Sequence, residues 1–510
     1  MVFGKRSKES TVRGIWKHYK SHGHYQGVSG SQPVAQGRID TPEVNRVQAK
    51  GKRFVITSAQ NNTHIHEKFF NSLMGFCEAN DAELMVSPFY YNLSGFQNLG
   101  KNHDQEEEVW FDTRIQPYLT NDSIQLAKGL VFCGELNILP TRVNPISGYH
   151  SYTGDQSGII PHAKLQLESL PTPMGDPAKL MYTTGAITQR NYIPKSAGQK
   201  AEWHHTFAAL YVYVDEDGDW FVRQLNAESD TGCFYDLVNH YTPKGKDENE
   251  YVISAVNLGD IHVDKLRKEV ADMCWGGTDS LLGYLAPEHV FIHDIHDHAR
   301  RNHHNIKDPY FLFQQFVGGK ESVRDEVKKT VDILEDIAKI SERVIVVESN
   351  HDLALERWLK EQDYRRDPVN AEFFLDMQLT NYQTMAAGEK LQTFKTACEK
   401  VAEGGLPPNI RFLTTDEQYR LHGIEFGQHG HNGNNGARGS TRAFQMQGIK
   451  FNIGHQHSCG IKDGVYVSGA CVIETDAGYT KGGSSWSISH IVTYPNGKRA
   501  IITCKNGKFM

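Results

Sequence analysis

The sequence predicts a mixed α/β (α+β) protein with two globular parts, the second presenting its chemistry at the C-terminal ends of strands. Three observations predict it. A strand–helix–strand order opens the globular chain at residues 53–86. From Val252 onward an apolar run, a polar motif and a helical stretch alternate several times. The 510 residues, 39% hydrophobic and 23% charged, are too many for one ordinary domain, and their composition is globular rather than collagen-like or disordered.

Residues 1–50 are polar, basic and Gly- and Ser-containing, and are expected to form a basic N-terminal arm with one short helix near 12–20. Residues 1–53 hold 11 Lys and Arg against 3 acids, so with a total of -7 the remainder carries about -15. A basic arm on an acidic body contacts phosphate, or else merely solubilises. Trp16, Tyr19 and Tyr25 among these charges add stacking surface to the first reading. No apolar run approaches the roughly 20 residues that cross a bilayer, and no apolar core follows the N-terminal charges, so no membrane association or secretion is expected. The eight cysteines form no CxxC pair, which fits reduced cytoplasmic thiols and speaks against thiolate zinc sites.

Residues 51–245 are expected to be one separate α/β domain of unknown role. It opens with a strand at 53–58, an amphipathic helix at 65–80 and a strand at 83–86. Another buried strand follows at 130–133. Strands at 208–214 and 220–225 flank Asp217-Gly218, a hairpin signal. Asp215, Asp217 and Asp219 fall short of a calcium loop, which needs more ligands and a later Glu, so a turn explains them better. The acidic stretch 104–108 is a solvated surface segment. A polar linker at 243–250 leads to a second domain, 250–510, with a helical insertion at about 363–404 and a β-rich end that includes a hairpin at Asn496-Gly497.

Five motifs in this second part carry chemistry. Gly259-Asp260-Ile261-His262 follows the apolar run 252–258. His293-Asp294-Ile295-His296-Asp297-His298 follows 290–292. Ser349-Asn350-His351-Asp352 follows 344–347. Gln428-His429-Gly430-His431 follows Ile424 and Phe426, and Gly454-His455-Gln456-His457 follows 451–453. Any one is weak in a chain with 25 histidines. Together they put oxygen and imidazole donors, and no sulfur, at strand ends facing one crevice, a mixture suited to Mn²⁺, Fe or Zn²⁺. Alternate residues of an extended segment point the same way, so Asp260 with His262, and His455 with His457, can reach shared ions. A carboxylate such as Asp294 can bridge two cations.

This order, GDxH, D-x-x-D, NH-D, H-G, GHxH, resembles the calcineurin-like metallophosphoesterase superfamily over about residues 250–480. The resemblance implies a two-sheet β-sandwich flanked by helices and two divalent metal ions per chain, with Mn²⁺ expected. Carried over by position, Asp260, His262 and His457 are ligands of one metal, Asp294 bridges, and Asn350, His429 and His455 are ligands of the other. His351 matches the imidazole that orients phosphate and protonates the leaving oxygen. Asp352 either orients that imidazole or caps the next helix. His293 and Ser349 stand where glycines are usual, and His298 stands where an arginine often follows the second motif. His431 competes with His429. Arg438 and Arg442, in the Gly- and Asn-rich loop 430–442, are candidate phosphate-binding residues.

The layout, and the stretch from Gly482-Gly483-Ser484-Ser485-Trp486-Ser487 to Tyr494-Pro495-Asn496-Gly497, resemble the pre-early proteins of T5-like bacteriophages that degrade host DNA. That likeness implies a manganese-dependent deoxyribonuclease, with DNA as its partner, acting in the infected cytoplasm as a homo-oligomer. The alternatives are a phosphomonoesterase acting on phosphoproteins or small phosphate esters, and a non-enzymatic scaffold, against which the complete ligand set speaks.

Overall fold

The structure, a computed structural model, describes residues 45–46, 51–91, 109–473 and 481–509. The expected arm helix at 12–20 and the acidic stretch 104–108 lie outside them. Within the expected arm, Asn45–Arg46 form a short strand parallel to Ser123–Ala127.

The fold is α/β with several sheets. The chain opens as the sequence predicts. Arg53–Gln60 is a strand buried from its second residue on, Glu67–Asn80 the helix behind it, and Glu83–Phe89 a parallel partner. Ala208–Val214 pairs antiparallel with Arg53–Gln60, and Trp220–Asn226 completes four strands through the hairpin at Asp217-Gly218, where Gly218 takes φ 91°. The polar stretch at 243–250 is more than a linker. Gly245–Lys246 is the third strand of a small sheet with Phe234–Asp236 and Asn239–Thr242. Its backbone lies so close to the first helix that a Cβ on Gly75 would sit 2.9 Å from Gly245 Cα. This sheet is fastened by a buried ion pair. Arg223 Nε and Nη2 donate to Asp236 Oδ1 and Oδ2 at 2.7 and 2.8 Å. Asp236→Ala leaves the guanidinium buried and uncompensated, and is expected to lower unfolding free energy by about 3–5 kcal/mol in a denaturant titration.

Residues 51–245 are not set apart from the rest. Strand Leu167–Leu170 pairs antiparallel with Gly460–Lys462, so one eleven-stranded sheet runs from Asn45–Arg46 to Arg420–Leu421 through both halves. The apolar run 124–132 and Ile461 and Tyr466 share one core, and cutting the chain at 245–250 would expose it.

The site is positioned by a six-stranded sheet. Ile410–Leu413, Arg343–Val347, His289–Ile292 and Ala255–Asn257 run parallel, and Ser489–Thr493 and Arg499–Thr503 extend them antiparallel. Buried on both faces, these strands are near-continuous runs of Val, Ile and Phe. One face packs helices Lys268–Trp275, Leu281–Leu285 and Val323–Ala338. The other face, through Ala255, Phe291, Ile345 and Val347, packs on Ile424 and Phe426 at the end of the eleven-stranded sheet. Between Arg343–Val347 and Ile410–Leu413 lie helices Leu353–Glu361, Ala371–Ala386 and Thr393–Val401 around their own core.

Candidate metal centre

Parallel strands end on the same side of their sheet, and that side carries the motifs. Asp260, Asp294 and Asn350 follow three adjacent parallel strands. His429 and His455 follow Ile424–Glu425 and Lys450–Ile453, which are parallel to each other in the second sheet. The first two loops stay paired beyond the strands. Ile261, His262 and Val263 N–H donate to the carbonyls of His293, Asp294 and Ile295 at 3.2, 2.8 and 3.1 Å. Strand alternation is not what converges the ligands. His262, Asp294, His455 and His457 take positive φ of 49°, 44°, 72° and 55°. Such backbone disfavours side chains with a Cβ, and it concentrates where a site needs them re-aimed.

Three donor groups result, one of them His262, Asp297 and His351, and the other two share a carboxylate. Ligand atoms of Asp260, His262, Asp294 and His457 lie within 4.8 Å of one another, and so do those of Asp294, His429 and His455. Asp294 belongs to both of these. Asp260, His262, Asp294, His429 and His457 are buried. In the first group His457 Nε2 is 3.0 Å from Asp260 Oδ2 and 3.0 Å from His262 Nε2. In the second, His429 Nε2 is 3.2 Å from Asp294 Oδ2. Asp260 Oδ1, both Asp294 oxygens, both His429 nitrogens and Asn350 Oδ1 are buried without a hydrogen bond. Buried polar atoms are rarely left so, and orphans on converging ligand-type side chains fit cations. Burial alone would raise the Asp294 carboxyl, but His429 and His351 outweigh it and hold it well below the usual range. Burial opposes charge on His429, yet the carboxylates of Asp294 and Asp260 raise it. A cation taken up there displaces a proton.

Each expected residue has a definite place. Of the competing pair, His429 is buried against Asp294, whereas His431 is half-buried with Nε2 on Asn432 Nδ2 at 2.9 Å. Asn350 is half-buried, its Oδ1 enclosed. His351 stands at the rim, half-buried, with Nδ1 2.9 Å from Asp297 Oδ1. Asp297, not Asp352, is thus the partner of this imidazole, and it also receives His262 Nδ1 at 3.3 Å and Lys265 Nζ. The Asp294-x-x-Asp297 spacing carried that signal. Asp352 neither orients His351 nor caps the helix. Its Oδ1 accepts from His296 N–H at 3.1 Å and its Oδ2 from Ser349 Oγ at 2.8 Å, tying two motif loops together. Arg438 and Arg442 are exposed, outside the donor cluster. Their loop nevertheless roots on it, since a Cβ on Gly430 would lie 3.2 Å from His455 Cβ.

Two further residues shape the centre. Trp486 sets its ring edge-on to His457, centroids 4.1 Å apart, and Ser487 N–H donates to the His457 carbonyl at 3.2 Å. The 482–487 stretch therefore braces a metal-ligand candidate. At Gly454 a Cβ would fall 2.3 Å from Asp260 Oδ1. Gly454→Ala should displace that carboxylate and weaken divalent-metal retention about 10–100-fold, with little loss of thermal stability. Unchanged metal retention would show that Asp260 is not held in position by this contact.

Among the described residues no helix is long and apolar enough to cross a membrane, and all eight cysteines are free. No protein-family model matches the chain. Over 489 residues it is 41% identical to Protein A1 of Escherichia phage T5, an alignment covering 94% of this chain and 86% of that protein.

Proposed function

Since the chain belongs to the family of Protein A1 of Escherichia phage T5, we propose that it is a metal-dependent deoxyribonuclease that hydrolyses host DNA phosphodiesters in the infected cytoplasm. The observation that carries the reading is Asp294, one buried carboxylate common to two donor groups. Asp260, His262, Asp294 and His457 would hold one divalent cation, and Asp294, Asn350, His429 and His455 the other, and the sulfur-free donor set favours Mn²⁺. When bound, two such cations supply charge neutralisation at the phosphoryl oxygens and an activated water. The side chains do the rest. Asp297 fixes the His351 ring, and His351 delivers its proton to the leaving oxygen. Arg438, on a loop rooted at His455, and Arg442, on the short helix Thr441–Gln445 that follows it, offer guanidinium groups to flanking phosphates. Two sheets sharing a core, with helices outside the six-stranded one, support the metallophosphoesterase sandwich.

The test is digestion of supercoiled circular DNA and end-labelled linear DNA with Mn²⁺, Mg²⁺ or chelator. Cleavage with Mn²⁺ and none with chelator is expected. Turnover of a chromogenic phosphomonoester far above that of the matching diester would replace the nuclease by a phosphomonoesterase. Removal of residues 1–50 is expected to weaken DNA binding and flatten its dependence on salt, through loss of phosphate contacts. Identical affinity and slope would take the arm out of the interface.

A further inference from the structure

We propose that the chain holds a third divalent cation, structural and of the zinc class, between His296, His298 and Glu326. One nitrogen of each imidazole and one Glu326 oxygen lie within 4.8 Å of one another. All three residues have 0% exposure. His296 Nε2 and both His298 nitrogens are buried without a hydrogen bond. A buried imidazole nitrogen without a partner is costly, and three of them on two rings facing one carboxylate describe a ligand set lacking its ion.

The protonation state of His296 fits. Thr330 Oγ1 donates its hydrogen to the Glu326 carbonyl at 3.1 Å. It can therefore only accept from His296 Nδ1, 3.3 Å away, which puts the proton on Nδ1. His296 Nε2 then carries a free lone pair, with its other nitrogen anchored as in known metal-bound histidines. Glu326 is aimed by backbone: Oε1 accepts from Ala299 N–H at 2.6 Å and Oε2 from Arg300 N–H at 3.3 Å. The rings are fixed, His296 stacked on Phe394 at 5.3 Å and His298 tilted against Trp358 at 5.6 Å. His298 also takes a left-handed φ of 46°. Two imidazoles and a carboxylate, with no sulfur, suit Zn²⁺.

The same proton accounting rejects the other buried cluster, Cys274, Cys471 and His490. There His490 Nδ1 accepts from Gly259 N–H at 3.0 Å, so Nε2, 3.3 Å from Cys274 Sγ, bears the proton and has no lone pair to give. A cation at His296, His298 and Glu326 would pin the 294–298 loop, which presents Asp294 and Asp297 to the neighbouring centre. The inference does not require the nuclease reading.

Full-length protein is loaded with Zn²⁺, dialysed against buffer and analysed for metal by mass spectrometry. Asp260→Ala/Asp294→Ala, which dismantles the centre beside it, is expected to retain about one Zn²⁺ per chain. Adding His298→Asn or Glu326→Gln to that background should remove it. No retained zinc in the double variant, or retention unchanged by the added substitution, overturns the proposal. If the added substitutions unfold the chain by circular dichroism, Co²⁺ titration of the double variant decides: visible absorption of a four-coordinate nitrogen–oxygen site supports the proposal, and its absence overturns it. Failure of the nuclease reading registers separately, as a wild-type chain holding no more metal than the double variant.

Discussion

Asp294→Ala is expected to reduce DNA cleavage by at least about 10³-fold while leaving the fold intact. The carboxylate is the element common to two of the donor groups, so its loss weakens two cation sites at once. Charge stabilisation by such ions is worth several kcal/mol in the transition state, and each 1.36 kcal/mol is tenfold in rate. Stability should not suffer in proportion. Both Asp294 oxygens lack hydrogen bonds, so no hydrogen-bonded partner is orphaned, although His429 loses the charge that raises it. Retained metal should fall along with cleavage. Asp294→Asn, which keeps the volume but not the charge, should be nearly as poor. Cutting at the wild-type rate by either variant would end the two-metal reading.

The sequence was most informative where an apolar run is followed at once by polar donors, because in a parallel sheet that order alone places donors on one side. Asp260, Asp294 and Asn350 were legible for that reason. His429 and His455 were legible as motifs facing the same crevice, but their arrival from a second sheet was not. That depends on packing between Phe291 and Phe426, whose rings stack at 4.5 Å, and no local pattern reports it. The role of Asp297 was missed because the eye falls on Asp352, the acid next in sequence to His351. Register decided otherwise, since the loop at 294–298 lies beside that imidazole. The division at 245–250 failed for a similar reason. A polar stretch reads as a boundary, yet pairing of Gly460 with Glu168 joins strands nearly three hundred residues apart. The cluster of His296, His298 and Glu326 could not be read at all. Helix Val323–Ala338 brings in its third member, and an isolated Glu on an amphipathic helix looks like solvated surface until its burial is known.

His351→Ala is expected to lower the cleavage rate by about 10²–10³-fold, within the range for a lost general acid, and to abolish the alkaline limb of the rate profile. Burial works against a charged imidazole here. The Asp294 carboxylate and the hydrogen bond to Asp297 outweigh it and raise His351 from its ordinary 6.5 to about 9. The ring is thus protonated at neutral pH, as a donor to the leaving oxygen must be. The sign follows directly: activity that depends on this proton is complete below the pKa of His351 and declines as pH rises through it. Cations beside Asp294 offset part of the charge that raises the ring, so in the loaded protein the decline should fall between 6.5 and about 9. Asp297→Asn removes the second support and should move the decline further down, and because Asp297 also receives His262 Nδ1, a fall in metal content is expected with it. Substrates with a leaving group that needs no proton should be far less sensitive to His351→Ala than DNA is. Equal losses on both substrates would show that His351 holds the phosphate rather than protonating its leaving oxygen.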